Sequence, residues 1–350
     1  MEFVTPPALS PGDTVAVVGP SSGGAHEAPH VLTLALRRLR ETFDLEPVLY
    51  PTARQGNDFL ESHPRARAAD IHAAFRDPDI SGVFATIGGD DQLRVLRHID
   101  PKILRENPTR FFGMSDNTNL QLLLWREGVV SYNGAQLMNE LAVPGTLPDY
   151  TERYCRRAFF EDELGELTGS ELWTDEPSDW WTDPSLLSEE PAYEPNPGRR
   201  WAGGTERVEG RLWGGCRAIV DWHLATDRYL PEPARLDGAV LCLETAEDLP
   251  SPDEVASTLM CMGERGLLSR FSGVLVGRPP GRSFLDEPPR AEREAYRDAM
   301  YDAIVEQTER YTPDAPVVLG VDWGHTMPIA PLPLGRRVEL DPDGRRIVLR

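Results

Sequence analysis

The sequence predicts an α/β protein in two parts, a parallel-sheet N-terminal domain over residues 1–144 and a mixed, strand-rich C-terminal α/β domain over residues 206–350. A connecting segment at 145–205 carries a tryptophan-bearing loop. Three observations lead there. At 350 residues the chain is too long for one ordinary core, and its 40% hydrophobic content suffices for two. Up to residue 144, short β-branched runs alternate with helical stretches, as parallel strands joined by crossing helices do. From Glu161 to Arg200 that rhythm stops in a run rich in Glu, Asp, Pro, Ser and Trp.

In chain order, Thr14–Val18 is a β-branched strand closing in Gly19-Pro20-Ser21-Ser22, followed by a helix whose apolar face is Val31, Leu32, Leu34, Leu36 and Leu39. Val48-Leu49-Tyr50 makes a second strand, and Arg65 to Phe75 a helix with Ala68, Ala69, Ile71 and Ala74 inward. A third strand, Gly82 to Ile87, ends in Gly88-Gly89-Asp90-Asp91. A helix from Gln92 leads to the strand Arg110-Phe111-Phe112 and then to Gly113-Met114-Ser115-Asp116. Gly-rich turns at the ends of parallel strands are where such sheets bind ligands. In the connecting segment Trp173, Trp180 and Trp181 are ill suited to open solvent, which favours an active-site flap or inter-domain loop over a flexible acidic linker. Beyond it, Val208 to Gly215, Ala239 to Glu244, the run from Val317, Arg337 to Leu340 and Arg346 to Leu349 read as strands. Pro252 to Arg265 and Ala291 to Tyr311 read as helices.

Charge narrows the function. A net charge of −21 repels phosphate backbones and anionic lipid heads, so nucleic-acid and membrane partners are not expected. The first residues have neither a basic start nor an apolar core, which points to a cytoplasmic protein. Cys155, Cys216, Cys242 and Cys261 are widely spaced and form no C-x-x-C pair, so neither a zinc site nor a disulfide framework is expected.

The chemistry concentrates at strand ends. Ser115 falls between a strand and a helix-like run, where its hydroxyl would project beside helix N-terminal amides; an ordinary N-cap is the competing reading. A serine nucleophile needs a base, and the base needs an acid to hold its tautomer. Of seven histidines, only His325 follows a strand and a glycine and enters a stiff loop, Thr326-Met327-Pro328, that can hold an imidazole in a cleft. Glu244 closes an apolar strand, where a carboxylate needs a partner; that partner is a histidine or, alternatively, the loop it caps. Backbone amides of Gly89, Asp90 and Asp116 are candidate oxyanion donors, although Gly88-Gly89 also reads as a simple tight turn. The stretch lacks the second glycine of G-x-S-x-G, which disfavours an ordinary α/β-hydrolase. Asp90, Asp91 and Asp322 follow no metal-ligand spacing, so no metal is expected.

Taken together, the segments Gly12 to Ser22, Gly88 to Asp91, Gly113 to Thr118, Glu209 to Gly215, Leu243 to Glu247 and Gly324 to Pro328 resemble the serine peptidase family of LD-carboxypeptidases and microcin C self-immunity peptidases. The resemblance runs through nearly the whole chain. It implies a Rossmann-like N-terminal domain, a triad of Ser115, Glu244 and His325, no cofactor and commonly a homodimer. The stretch Glu244 to Pro252 and the loop at Trp180-Trp181 are closer to the immunity branch, whose loop aromatic is expected to stack on the base of an aminoacyl-nucleotide; packing of the loop is the other use of these tryptophans. Immunity-type members often carry a lysine where this chain has Asp248, which removes a cationic contact for phosphate-like groups. The expected activity is amide hydrolysis on a peptidyl- or aminoacyl-nucleotide. The alternatives are release of a D-amino acid from a murein tetrapeptide and non-catalytic small-molecule binding.

Overall fold

A computed structural model describes residues 2–176, 179–283 and 286–350. The chain divides into two compact units, one of Met1–Glu163, Ser178–Pro191 and Ala330–Gly335, the other of Leu164–Pro177, Ala192–Ile329 and Arg336–Arg350.

In the first unit, the strands Thr14–Val18, Glu46–Leu49, Gly82–Ala85, Arg110–Gly113 and Ser131–Asn133 form a parallel sheet. Glu46–Leu49 lies on one side of Thr14–Val18 and the other three follow in order on its other side. The order reverses between the first and third strands, so the turns leaving them diverge and open a crevice at the sheet's C-terminal edge. Both faces are covered, as the buried runs of Thr14–Val18 and Arg110–Gly113 require. Leu332–Leu334 adds an antiparallel sixth strand beside Ser131–Asn133. Its three residues centre on a proline and are not among the strands expected from the sequence; pairing at a sheet edge makes them one.

The first unit runs past residue 144, where sequence reading placed the end of the N-terminal domain. Helix Asp149–Phe160 inserts Phe159 against Phe84 and Phe112, ring centroids 5.3 and 4.9 Å away, while Phe84 and Phe112 stack at 4.6 Å. The fully buried Arg110 locks the end of this helix, its Nη1 donating to the carbonyls of Ala158, Phe159 and Glu161 at 2.5, 3.1 and 3.0 Å. Carbonyls left over at a helix C-terminus are natural acceptors for a guanidinium.

The second unit is built on an eight-stranded mixed sheet. Val208–Cys216, Val240–Glu244, Gly273–Gly277 and Pro316–Val321 run parallel at its centre, and Gly165–Glu166, Arg346–Leu349, Arg337–Asp341 and Arg200–Gly203 complete it by antiparallel pairing. Cys216 and Glu244 are register partners, so the two strands end side by side. Helix Pro252–Glu264 starts in a capping box between Ser251 and Glu254, and helix Arg290–Tyr311 supplies the long cover. The segment 161–200, read as an excursion, contributes to both units and contains a small ribbon in which Leu172–Trp173 pairs with Glu194–Pro195.

Replacing Arg110 by Ala removes the donor to three helix-end carbonyls, of which, among the described residues, only Phe159 keeps another partner, the Leu9 amide at 2.8 Å. Arg110→Ala is expected to lower the unfolding free energy by about 3 kcal/mol or more, read as a lower urea midpoint.

Candidate active site

Two groups of side chains, one in each unit, carry the chemistry expected from the sequence. In the first unit Ser115 follows strand Arg110–Gly113 and opens a single 3-10 turn, Ser115–Asn117, that leads into helix Thr118–Arg126. Its φ is +61°, in the left-handed region that a serine enters at a cost of about 1–3 kcal/mol. Such a turn reverses the chain abruptly and lifts the side chain off the sheet edge. Gly88 makes room for it, since a Cβ on Gly88 would sit 2.7 Å from Ser115 Cβ and 3.0 Å from Oγ. The ordinary N-cap reading does not apply, because the Ser115 side chain caps no helix amide.

Asp116 was expected to contribute its amide; its side chain does more. The carboxylate is fully buried and accepts from Ser21 Oγ, from the amides of Asp91 and Gln92 at 3.2 and 2.9 Å, and from Asn119 Nδ2 at 2.8 Å. Burial pushes its pKa up to about 6 against the lowering effect of those hydrogen bonds. The loops after the first and third strands are thereby tied to the turn that holds Ser115. Arg67, with no exposed surface, clamps the same region by pairing with Asp91 through both terminal nitrogens at 2.5 and 2.9 Å. Gly89 and Asp90 are exposed, and their amides meet no acceptor among the described residues. The Gly88 carbonyl, by contrast, is held by the amide and hydroxyl of Ser22 at 3.1 and 2.7 Å.

The tryptophan loop of this unit packs inward. Trp180 is only 4% exposed, and its carbonyl accepts from His30 Nε2 at 2.9 Å. Trp181 is half-buried over Gly24, where a Cβ would come within 2.6 Å of its ring. Trp180 therefore serves packing, and of the two indoles Trp181 keeps the more open surface.

In the second unit Glu244, 1% exposed at the end of its strand, bonds His325 Nδ1 through Oε2 at 2.5 Å. This contact fixes the ring and directs Nε2 away from the acid. Gly324 allows the approach: its φ is +98°, and a Cβ there would lie 2.9 Å from Glu244 Oε2. The half-exposed Glu247 sets a second carboxylate 3.6 Å from His325 Nε2. Asp248 lies 3.7 Å from Arg217 Nη2, while Arg217 Nη1 pairs with Asp221 at 2.6 Å. Desolvation raises the Asp248 pKa, opposed by Arg217 and His325. Arg217 was not singled out from the sequence, although as the residue after a parallel strand it occupies a position that commonly meets ligands. Asp322 lies below the His325 loop and pairs with the buried Arg278 at 2.9 Å, so it is a structural anion.

Residues 15–134 match the family model described as the LD-carboxypeptidase N-terminal domain, and residues 209–340 the model described as the LD-carboxypeptidase C-terminal domain. A probable murein peptide carboxypeptidase of Bacillus subtilis is 26% identical over 340 residues, covering 96% of this chain and 91% of its own length. The microcin self-immunity protein MccF of Escherichia coli is 24% identical over 294 residues, 83% of this chain and 80% of its own. The crystal structure of an MccF-like protein from Streptococcus pneumoniae, in complex with AMP, matches with a TM-score of 0.85 at 26% identity, covering 97% of this chain and 98% of that one.

Two measurements follow from this geometry. With the left-handed turn penalising any Cβ, Ser115→Gly should be about 1 kcal/mol more stable to urea than Ser115→Ala. The second concerns Asp116, whose pKa is about 6 in the folded chain against 3.8 normally. Between those values the folded state takes up a proton that the unfolded state does not. This group's contribution to stability is therefore complete below pH 3.8, is lost as pH rises through 6, and amounts to at most about 3 kcal/mol. Asp116→Asn should remove that component from the pH dependence of the urea midpoint, whatever it does to absolute stability.

Proposed function

The chain belongs to the LD-carboxypeptidase family of serine peptidases, and from that premise we propose that Ser115, Glu244 and His325 form its catalytic triad. One observation carries the reading: a buried carboxylate oriented on a histidine Nδ1, in a chain whose serine is forced into a left-handed strand-to-helix turn. His325 Nε2 takes the Ser115 proton as Oγ attacks the carbonyl carbon of an amide. The oxyanion that forms is held by backbone amides of Gly89 or Asp90 and of Asp116. His325 then returns the proton to the leaving nitrogen, and water, deprotonated by the same imidazole, releases the acyl group from Ser115. Glu244 holds the tautomer throughout and stabilises the imidazolium. No cofactor enters this sequence.

For the substrate we propose an aminoacyl- or peptidyl-nucleotide, cut at its amide bond as a self-immunity peptidase would cut an antibiotic. Likeness to MccF and to the AMP-bound MccF-like structure supports this class. Glu247, half-exposed beside His325, suits an α-ammonium next to the scissile bond, and Trp181 offers the more open indole for a base to stack on. Asp248, paired with Arg217, borders the ammonium side of the site. A second reading, release of a D-amino acid from a murein tetrapeptide, rests on likeness to the murein peptide carboxypeptidase. It draws on Arg217 as the cation for a terminal carboxylate. The protein is proposed to act in the cytoplasm as a homodimer.

Mass spectrometry of purified protein incubated with an aminoacyl sulfamoyl adenylate and with an LD-linked tetrapeptide separates the two. Cleavage of the adenylate is expected, and cleavage of the tetrapeptide alone would reassign the enzyme to cell-wall recycling. Ser115→Ala should reduce turnover to background with an unchanged circular dichroism spectrum, and Glu244→Gln should lower kcat about 10⁴-fold. Full activity of Ser115→Ala would overturn the triad.

A further inference from the structure

The second unit contains a cavity of about 340 Å³ that no step above uses. One wall is a single face of helix Arg290–Tyr311, presenting Arg290, Arg297 and Tyr301, and the opposite wall is the Pro197–Arg200 turn with Arg278 behind it. Five arginines and three carboxylates line it, a local excess of positive charge in a chain whose net charge is −21.

The excess extends beneath the lining. Asp175, 5% exposed, is shared by three guanidinium groups, those of Arg282, Arg293 and Arg297, at 2.7, 2.8 and 3.3 Å, and of these Arg293 also pairs with Glu194 at 2.8 Å. Arg297 has no other carboxylate within ion-pair distance among the described residues. It is 7% exposed and lies over the Trp173 ring, its guanidinium carbon 4.7 Å from the centroid, while that of Arg278 lies 4.9 Å from the same ring. Arg199 spends its terminal nitrogens on the carbonyls of Leu167 and Thr168 and pairs with no carboxylate among the described residues. The Tyr301 hydroxyl, which burial keeps protonated by pushing its pKa up to about 12, donates to no acceptor among the described residues. Arg200, Arg278 and Arg290 have carboxylates of their own, in Asp302, Asp322 and Glu294, so the deficit falls on Arg297 and Arg199; a guanidinium removed from water with less than one carboxylate is costly unless an anion completes it.

We infer that this cavity is a binding site for a small phosphate-bearing anion, held by Arg297 and Arg199 with the Tyr301 hydroxyl as a neutral donor, while the exposed Arg290, paired with Glu294 at 2.8 Å and Glu194 at 3.7 Å, borders it. A dianion compensates two guanidinium groups at once and offers acceptors in several directions, where a carboxylate offers one charge in one plane. The volume admits a phosphate with a few further heavy atoms and is at the small end for ligand pockets. This site is independent of the peptidase reading.

The test is isothermal titration of the full chain with glycerol phosphate and with inorganic phosphate at constant ionic strength, for wild type, Arg297→Gln and Tyr301→Phe. Wild type should bind one equivalent saturably, with at least tenfold weaker binding in Arg297→Gln and several-fold weaker binding in Tyr301→Phe. Circular dichroism reports whether Arg297→Gln folds; if it does not, Tyr301→Phe decides alone. Absence of saturable binding to wild type, or binding equally tight in the folded variants, would place the anion elsewhere and overturn the inference.

Discussion

The first unit's chemistry depends on one carboxylate that has no contact with water. Asp116 gathers donors from the turn after the first strand, from the turn after the third and from the helix after the fourth. Each of those turns leaves the sheet at its C-terminal edge, where the reversal of strand order separates the first and third connections. Without an anion between them, the amides of Asp91 and Gln92 would be left buried and unsatisfied, at a cost of about 1–3 kcal/mol each. The residue before Asp116 is the strained Ser115. Strain at one residue persists only where its neighbours are over-determined, and the buried carboxylate next to it provides that.

The second unit solves a related problem with the opposite exposure. Glu244 is buried at a strand end, and only its partner, on a loop bent by Gly324, turns the desolvated carboxylate from a liability into an orienting group. The loop itself is fixed from below by the Arg278–Asp322 pair, buried on both sides. Breaking such a pair costs more than forming it gains, so its effect is to keep one loop conformation rather than to add net stability.

How much of this could be read in advance varies by distance along the chain. The alternation of strands and helices, the strand-end positions of Ser115 and Glu244, and the loop position of His325 are local patterns of burial and punctuation, and the sequence carries them openly. The reach of the first unit past residue 144 is not local: it depends on Phe159 meeting Phe84 and on Arg110 meeting carbonyls some fifty residues away. The return of Leu332–Leu334 to the first sheet is equally hidden, because three residues with a central proline have no period to detect. Trp180 shows a different limit. Packing and stacking select the same indole, so only its 4% exposure tells which use prevails. The side-chain role of Asp116 was masked because a carboxylate after the serine already has a sufficient meaning as the owner of an oxyanion amide.

The charge around His325 bears on what the proposed enzyme accepts. The family resemblance leads to a lysine at the position of Asp248, and here the nearby cation is Arg217, at the start of helix Arg217–Thr226 earlier in the chain and tied to Asp221. Its contact with Asp248, at 3.7 Å and with Asp248 half-exposed, is worth no more than about 1 kcal/mol. Arg217 therefore leaves much of the Asp248 charge uncompensated. With Glu244 and Glu247, three carboxylates act on one imidazole, an arrangement that favours its charged form, as the proposed transfer of the Ser115 proton requires. The same field opposes an anionic group placed beside the ring. On the proposed reading, the substrate then lays its ammonium toward Glu247 and carries any phosphate-like group away from Asp248, so preference for the amino end is set by this acidic border and not by a phosphate contact.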